Sequence, residues 1–321
     1  MKPMLSLVIP VYRNEESLPD LLDAVQDLSD QLGGAMAVVF VVDGSPDRCH
    51  EILSMRLPGC AFRSQLVLLA RNFGAFPAIR AGLEVGQGDY FAVMAADLQE
   101  PPELVLQMNS ILKADEADVV VGVRTARMEP WHTRLSSQVF WAMYRRYVVP
   151  EMPPGGVDMF GCNRIFRDAL LKLEERHSSL VAQIFWLGFR RKQVSYVRQA
   201  RQHGQSAWTL RKKINYLMDS VFAFSDLPIR LLIRGGAIGI FGSLLVGLMV
   251  VIARLSGAIQ VPGYSMIVVM IVFFGALNLL SLGIVGSYAW RAYENTKARP
   301  LTVSLHVQSF SGSANLGEET V

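Results

Sequence analysis

The sequence predicts an α/β protein: a mostly parallel sheet with helices on both faces, followed by a C-terminal two-helix transmembrane hairpin. Three observations predict it. Short apolar runs alternate with helix-length periodic segments from Met4 to Val123, the pattern of a buried parallel sheet. Polar residues gather where those runs stop, which is where ligands bind in such sheets. Two long charge-free stretches follow late in the chain.

The elements can be justified in order. Residues 4–9 form an apolar run that ends at Pro10, a first strand. Residues 16–32 place Leu18, Leu21, Leu22, Val25 and Leu28 at helical spacing. Residues 37–42 are a second strand, closed by the turn-forming Asp43-Gly44-Ser45. Residues 65–70 are a third strand, 78–85 a helix and 90–95 a fourth strand. Pro101-Pro102 opens a further helix with Glu103 in its first turn. Residues 119–123 supply a fifth strand.

The chain has 321 residues, 51% hydrophobic and only 18% charged. That is too apolar for an ordinary soluble domain or for a disordered chain. Residues 235–253 carry no charge over 19 positions, and residues 255–290 none over 36. A bilayer core of about 30 Å needs roughly 20 apolar helical residues. The expected spans are 231–254 and 264–290, separated by the helix-breaking Val261-Pro262-Gly263. A buried core hairpin is the competing reading, and it needs a large soluble shell around it. Arg230 and Arg234 precede the first span, Arg291, Lys297 and Arg299 follow the second, and only Arg254 lies between. This asymmetry predicts a multi-pass protein of the cytoplasmic membrane with both termini and residues 1–205 in the cytoplasm. Residues 206–230 are expected to form a juxtamembrane amphipathic region. Residues 291–321 form a cytoplasmic tail, expected to be disordered after about Val303. No signal peptide is expected, since Met1-Lys2-Pro3 leads into a short strand.

Several chemistries are excluded. Net charge is only +3, too small to imply nucleic acid. Cys49, Cys60 and Cys162 form no CxxC pair or even framework. Walker-type GxxxxGK[ST], GxGxxG after the first strand, HExxH and GxSxG are all missing. What remains is a set of strand-end residues: Tyr12, Asp43, Arg71 with Asn72, Asp97 with Gln99, and Arg124. Asp97 could hold Mg²⁺ or Mn²⁺ against phosphate oxygens, or serve as a helix N-cap. Asp43 is equally open between a turn residue and a ligand contact. Residues 190–213 hold eight Lys and Arg and no acid. They read as a patch for anionic lipid, or as a loop in which Arg201 closes over a phosphate.

These residues resemble family 2 glycosyltransferases of the polyprenyl-phosphate hexose synthase branch, similar to dolichol-phosphate mannose synthase and bacterial undecaprenyl-phosphate glucosyltransferases. The resemblance is carried by residues 8–12 (VIPVY), 42–47 (VDGSPD), 71–74 (RNFG) and 96–103 (ADLQEPPE). It continues through 121–124 (VGVR), Asp158 ahead of Arg164, Arg201 to Ser206, and 225–230 (SDLPIR). It covers residues 4–295 in order. It implies the GT-A fold, which is Rossmann-like, a nucleotide-diphosphate sugar donor, Mg²⁺ or Mn²⁺, and a polyprenyl phosphate acceptor at the membrane. It implies that Pro10, Tyr12, Asn14, Asp43, Arg71, Asn72, Ala96 and Gln99 surround the donor, with Asp97 and Gln99 at the metal. By the same resemblance Arg124, Arg134, Arg201 and Ser206 meet phosphates, and Asp97, Asp158 and Arg124 are catalytic. Ala95 stands where the family pattern has an aspartate, and Ala207 where it has a lysine.

The implied reaction is inverting transfer of a hexose from a UDP- or GDP-sugar to the lipid phosphate, yielding a lipid-linked sugar for envelope glycans. Two other readings stand beside it: a family 2 transferase with another lipid or glycan acceptor, and a non-catalytic, membrane-anchored sugar-nucleotide-binding protein. Gln183-Ile184-Phe185-Trp186 lacks the arginine of the QxxRW pattern of processive synthases. Gly235, Gly239 and Gly242 are a small-residue signal for a homo-oligomer.

Overall fold

A computed structural model describes residues 5–126, 142, 144–146, 148–153, 156–175, 178–199, 218–225, 227–256 and 263–312. Its centre is one eight-stranded sheet. The strands are β1 (Leu5–Val11), β2 (Met36–Val42), β3 (Arg63–Leu69), β4 (Tyr90–Val93), β5 (Val119–Ala126), β6 (Phe160–Asn163), β7 (Arg191–Val197) and β8 (Ser304–Phe310). Their spatial order is β7-β5-β6-β4-β1-β2-β3-β8. β1 pairs in parallel with β2 and β4, β2 with β3, and β5 with β7. β6 runs antiparallel between β4 and β5, and β8 antiparallel along β3. The predicted mostly parallel sheet is therefore present.

The central strands are buried on both faces, which explains why they read as unbroken runs of Val, Leu and Phe. Helices α1 (Leu18–Gln31), α2 (Cys49–Arg56) and α4 (Glu103–Lys113) cover one face. There Leu21, Val25, Leu53, Leu104 and Met108 pack with Phe40. Helices α3 (Ala75–Val85), α5 (Arg164–Leu171) and α6 (Leu180–Trp186) cover the other. There Ile79, Leu83, Phe166 and Ile184 pack with Phe91. Helices α3 and α5 cap each other. Arg80 donates to the carbonyls of Leu170 and Leu171 at 2.9 and 3.0 Å. Arg167 donates to those of Leu83 and Gly86 at 2.9 and 3.2 Å. Each guanidinium thus satisfies the orphan carbonyls at its neighbour's C-terminus.

Two long helices follow, α7 (Leu227–Leu255) and α8 (Tyr264–Thr296). The first extends beyond both ends of its expected span, and the second begins with its own at Tyr264 and runs past its end. Within them Leu231, Ile238, Phe241, Leu248, Ile271 and Leu279 are exposed. Among the described residues, one helical segment, Phe273–Thr296, is long and apolar enough to cross a membrane. A short helix at 218–224 links them to the sheet domain. Its Ser220 accepts a hydrogen bond from the buried Tyr144 hydroxyl at 3.2 Å, while Asp219 pairs with Arg291 of α8 at 2.8 Å.

One expectation is corrected. The segment after Val303, expected to be disordered, forms β8 on the edge of the sheet. Its composition is polar because nearly all of it is exposed, and its order comes from the backbone ladder along β3. Gly312 closes it: the residue is left-handed (φ +76°), and a Cβ there meets the Ala61 carbonyl oxygen at 2.6 Å. Residues 313–321 lie outside the described set.

Candidate active site

The loops after β1, β2 and β3 are stitched together at the carboxyl ends of the strands. Asp43 directly follows β2 and is 2% exposed. Its two carboxylate oxygens accept from the backbone amides of Phe73 and Gly74 at 2.7 and 2.8 Å. Burial raises its pKa, against the pull of those two amides. Next to it Gly44 is left-handed (φ +55°) and touches the backbone of Arg71 and Asn72 so closely that no side chain fits. The Asp43-Gly44 corner therefore sets the loop that leaves Arg71 and Asn72 exposed at the rim. The Arg71 guanidinium lies over the Phe73 ring at 4.6 Å.

A second set of bonds ties the β1 loop to the β2 loop. The Arg13 amide donates to Ser45 Oγ at 2.8 Å, and the Tyr12 amide to Asn14 Oδ1 at 3.1 Å. Asp47 accepts from Ser45 Oγ at 2.6 Å, from the Glu15 amide at 3.3 Å, and from both the amide and thiol of Cys49. The thiol is buried and its pKa is pushed up to about 12, chiefly by desolvation, so it is an inert packing group. Tyr12 and Asn14 are half-buried beside this seam, and Pro10 lies within β1 opposite Val41.

The acidic side of the rim is built from the ends of β4, β5 and β7. The Ala96 carbonyl accepts from Ser17 Oγ at 3.0 Å, which fastens the turn after β4 to the start of α1. Asp97 is half-buried, and its Oδ1 accepts from the Gln99 amide at 3.3 Å. Leu98 between them is left-handed (φ +52°). Arg124 of β5 and Asp158, just before β6, form a two-bond ion pair. Their side chains are 13% and 22% exposed. Arg124 and Tyr196 are register partners across β5 and β7. The buried Tyr196 hydroxyl donates to Asp158 Oδ2 at 2.5 Å. Gly122 packs beneath Leu104 and that ring, a Cβ there lying 3.2 Å from Leu104 Cδ2 and 3.4 Å from Tyr196 Cε1. Burial works against the charge on Arg124, yet Asp158 and Tyr196 hold its pKa above the ordinary arginine value. Arg198, after β7, bonds to the Gln99 side chain, and its Nε lies 3.8 Å from Glu100 Oε1. Glu100 is 3% exposed and its pKa is pushed up to about 7. Desolvation is the main cause; Asp158 and Asp97 add to it, and Arg198 and Arg124 oppose it.

The structure thus brings the sequence-predicted Pro10, Tyr12, Asn14, Asp43, Arg71, Asn72, Ala96, Asp97, Gln99, Arg124 and Asp158 to one rim. Arg134, Arg201 and Ser206 lie outside the described residues. Asp43 anchors the β3 loop through both its oxygens. Sequence reasoning missed Glu100, Tyr196 and Arg198. Glu100 stands inside the ADLQEPPE block, and Tyr196 and Arg198 sit two apart at the end of β7, which is the signal the sequence offers for them.

Residues 6–173 match the family model described as glycosyl transferase family 2. A Synechocystis protein named as an uncharacterized glycosyltransferase is 32% identical over 301 residues, covering 92% of this chain and 93% of that one. The undecaprenyl-phosphate 4-deoxy-4-formamido-L-arabinose transferase of Pseudomonas paraeruginosa is 33% identical over 309 residues, covering 94% and 90%. The crystal structure of Mycobacterium tuberculosis glucosyl-3-phosphoglycerate synthase with Mn²⁺, UDP and phosphoglyceric acid matches at 16% identity and a TM-score of 0.47, covering 69% and 77%. A mostly parallel sheet of the GT-A type, a rim of paired acids and arginines beyond its strand ends, and relatives alike over nine-tenths of their length lead to one assignment: the chain belongs to glycosyl transferase family 2 and is a glycosyltransferase.

Proposed function

We propose that the chain transfers a hexose, with inversion, from a UDP- or GDP-sugar to a polyprenyl phosphate such as undecaprenyl phosphate, at the cytoplasmic face of the membrane. The observation that carries this reading is the placement of the Asp97 turn and the Arg124–Asp158 pair at one strand-end rim, in a chain that continues into two long apolar helices. The relatives named as undecaprenyl-phosphate transferases support the acceptor class.

The donor nucleotide lies along the seam of Tyr12, Asn14, Arg71 and Asn72, whose shape Asp43 and Gly44 set. Asp97 and Gln99 offer hard oxygen donors, the chemistry that Mg²⁺ or Mn²⁺ prefers. Among the described residues no three acids or histidines cluster as a metal cage, which fits an ion held by one carboxylate, water and substrate phosphates. Such an ion would neutralise charge on the departing diphosphate. The nucleophile is an acceptor phosphate oxygen, which forms the new bond to the anomeric carbon as the bond to the diphosphate oxygen breaks. That phosphate is already ionised at neutral pH, so no strong general base is needed, and catalysis is positioning and charge stabilisation. Asp158 is engaged by Arg124 and Tyr196, so its part is to orient the Arg124 cation toward phosphate. Arg134, Arg201 and Ser206 supply further phosphate contacts. Helices α7 and α8 form the membrane hairpin, and its exposed Gly235 and half-buried Gly239 allow close self-association.

The test is direct. Full-length protein in lipid nanodiscs is incubated with Mg²⁺ or Mn²⁺, undecaprenyl phosphate and a panel of radiolabelled nucleotide sugars. Label extractable with lipid, together with released UDP or GDP, is the expected result. Label on another acceptor redirects the acceptor assignment, and nucleotide binding without transfer from any donor overturns the reading.

A further inference from the structure

The turn after β4 is held from an unexpected side. Arg198 Nη2 donates to the Gln99 side-chain oxygen, and the Gln199 amide donates to the Gln99 carbonyl at 2.9 Å. Residues 198 and 199 thus hold Gln99 by both side chain and backbone. Arg198 is seated on Glu100, whose Oε1 is 3.8 Å from Arg198 Nε. The other oxygen, Glu100 Oε2, is buried without a hydrogen-bond partner. An incompletely paired buried carboxylate is costly, and it faces two further acids, Asp97 and Asp158, against the cations Arg124 and Arg198. The turn itself contains Leu98 in a left-handed conformation, which persists only where surrounding contacts enforce it.

We propose that Arg198 is a positioning residue of the transferase: seated on the buried Glu100, it fixes the Gln99 amide and with it the Asp97–Gln99 turn. The inference rests on the donor-diphosphate role proposed for that turn. Arg198 acts through Gln99 and does not itself touch the reacting atoms. Its guanidinium meets two neighbouring residues at once, hydrogen-bonded to Gln99 and ion-paired with Glu100 at 3.8 Å, and the compact ammonium of a lysine does not have that span.

The test uses full-length protein in nanodiscs with Arg198→Ala, Arg198→Lys, Glu100→Gln and the double variant Glu100→Gln/Arg198→Ala. Hydrogen exchange of the 94–101 segment reads the turn, and kcat/KM for sugar transfer reads its consequence. Arg198→Ala is expected to speed exchange at Leu98 to Glu100 by about tenfold or more and to lower kcat/KM by about 10- to 100-fold, the scale of a small misplacement. Arg198→Lys recovers little of either. The double variant is expected to lose no more than Arg198→Ala, because Glu100 acts through the arginine. Unchanged exchange with kcat/KM within twofold of wild type overturns the proposal, as does an additive double variant. Should Arg198→Ala unfold, Arg198→Lys and Glu100→Gln carry the same two readouts. A wild-type protein that transfers no sugar sinks the functional reading, while the exchange data still decide whether Arg198 holds the turn.

Discussion

Gly44 offers the sharpest perturbation. An alanine Cβ at this position lies 2.3 Å from the Arg71 carbonyl carbon, 2.5 Å from the Asn72 nitrogen and 2.7 Å from Arg71 Cα. Carbon contacts become comfortable at about 3.5 Å, so the Arg71–Gly74 loop must retreat by roughly 1 Å. Asp43 holds that loop through bonds of 2.7 and 2.8 Å, and the retreat takes at least one beyond hydrogen-bond range. Losing one bond to a carboxylate costs about 1.5–3 kcal/mol, and the left-handed alanine about 1–2 kcal/mol more. Gly44→Ala is therefore expected to destabilise by about 2.5–5 kcal/mol. Gly33 supplies the control: it is also left-handed (φ +60°) but has nothing within 4 Å of a Cβ. Gly33→Ala carries only the conformational cost of about 1–2 kcal/mol. Thermal unfolding of both variants in detergent, with UDP and GDP titrated into each, measures the difference. Gly44→Ala is expected to melt several degrees below Gly33→Ala and to bind nucleotide more weakly. If the two melt together with equal nucleotide affinity, the loop is not held as described.

Three further outcomes follow from the same contacts. Asp97→Ala is expected to lower sugar transfer by about a hundredfold or more with an unchanged melting temperature; wild-type turnover in the product assay refutes its role. Arg167→Leu removes the cap on α3 and the cation over the Phe91 ring at 4.5 Å. It is expected to cost about 2–3 kcal/mol, read from the midpoint of denaturant unfolding. Burial tends to raise the Asp47 carboxyl, but its four hydrogen bonds outweigh that and hold it below the ordinary carboxylate range. Its stabilisation is complete above the unfolded-state value near 4 and disappears as pH falls through the lowered folded-state value. Asp47→Asn is thus expected to lower stability at neutral pH and to flatten its decline below pH 4, which acid titration followed by circular dichroism measures.

The parallel core was legible because β1, β2 and β3 are buried on both faces and must be apolar throughout. The β6 strand was not, because four residues carry no periodicity. The β7 strand was hidden for a different reason. Arg191, Lys192 and Gln193 are exposed or half-exposed at a sheet edge, so the segment reads as a basic patch although it delivers Tyr196 and Arg198 to the site. Among the candidate site residues, Asp97 and Arg124 stand out in the sequence because each follows an apolar run that reads as a strand. The partnership of Arg124 with Asp158 spans 34 positions and that of Asp43 with Phe73 spans 30. Such pairings are properties of the folded sheet, and no local pattern encodes them.

The position of β8 bears on how the proposed catalytic rim would meet a membrane. The chain leaves the sheet from β7 at one edge, passes through α7 and α8, and returns as β8 at the opposite edge. Seven strand spacings of about 4.8 Å separate those edges by roughly 34 Å. In the proposed membrane orientation the helix pair is therefore tied back to the sheet domain at the β3 edge, in addition to the Asp219–Arg291 pair, which restricts tilting of the rim relative to the headgroups. Truncation after residue 299 removes one anchor. It also exposes the β3 edge, but β8 is exposed along almost its whole length and buries little apolar surface, so the core survives its loss. The truncated protein is expected to retain nucleotide affinity within about twofold while its kcat/KM for a membrane-embedded polyprenyl phosphate falls by about tenfold, since orientation rather than chemistry has been lost. A short-chain, water-soluble prenyl phosphate restores much of that loss, because it needs no fixed height above a bilayer. Equal losses with the soluble and the embedded acceptor would instead assign β8 to the integrity of the donor site.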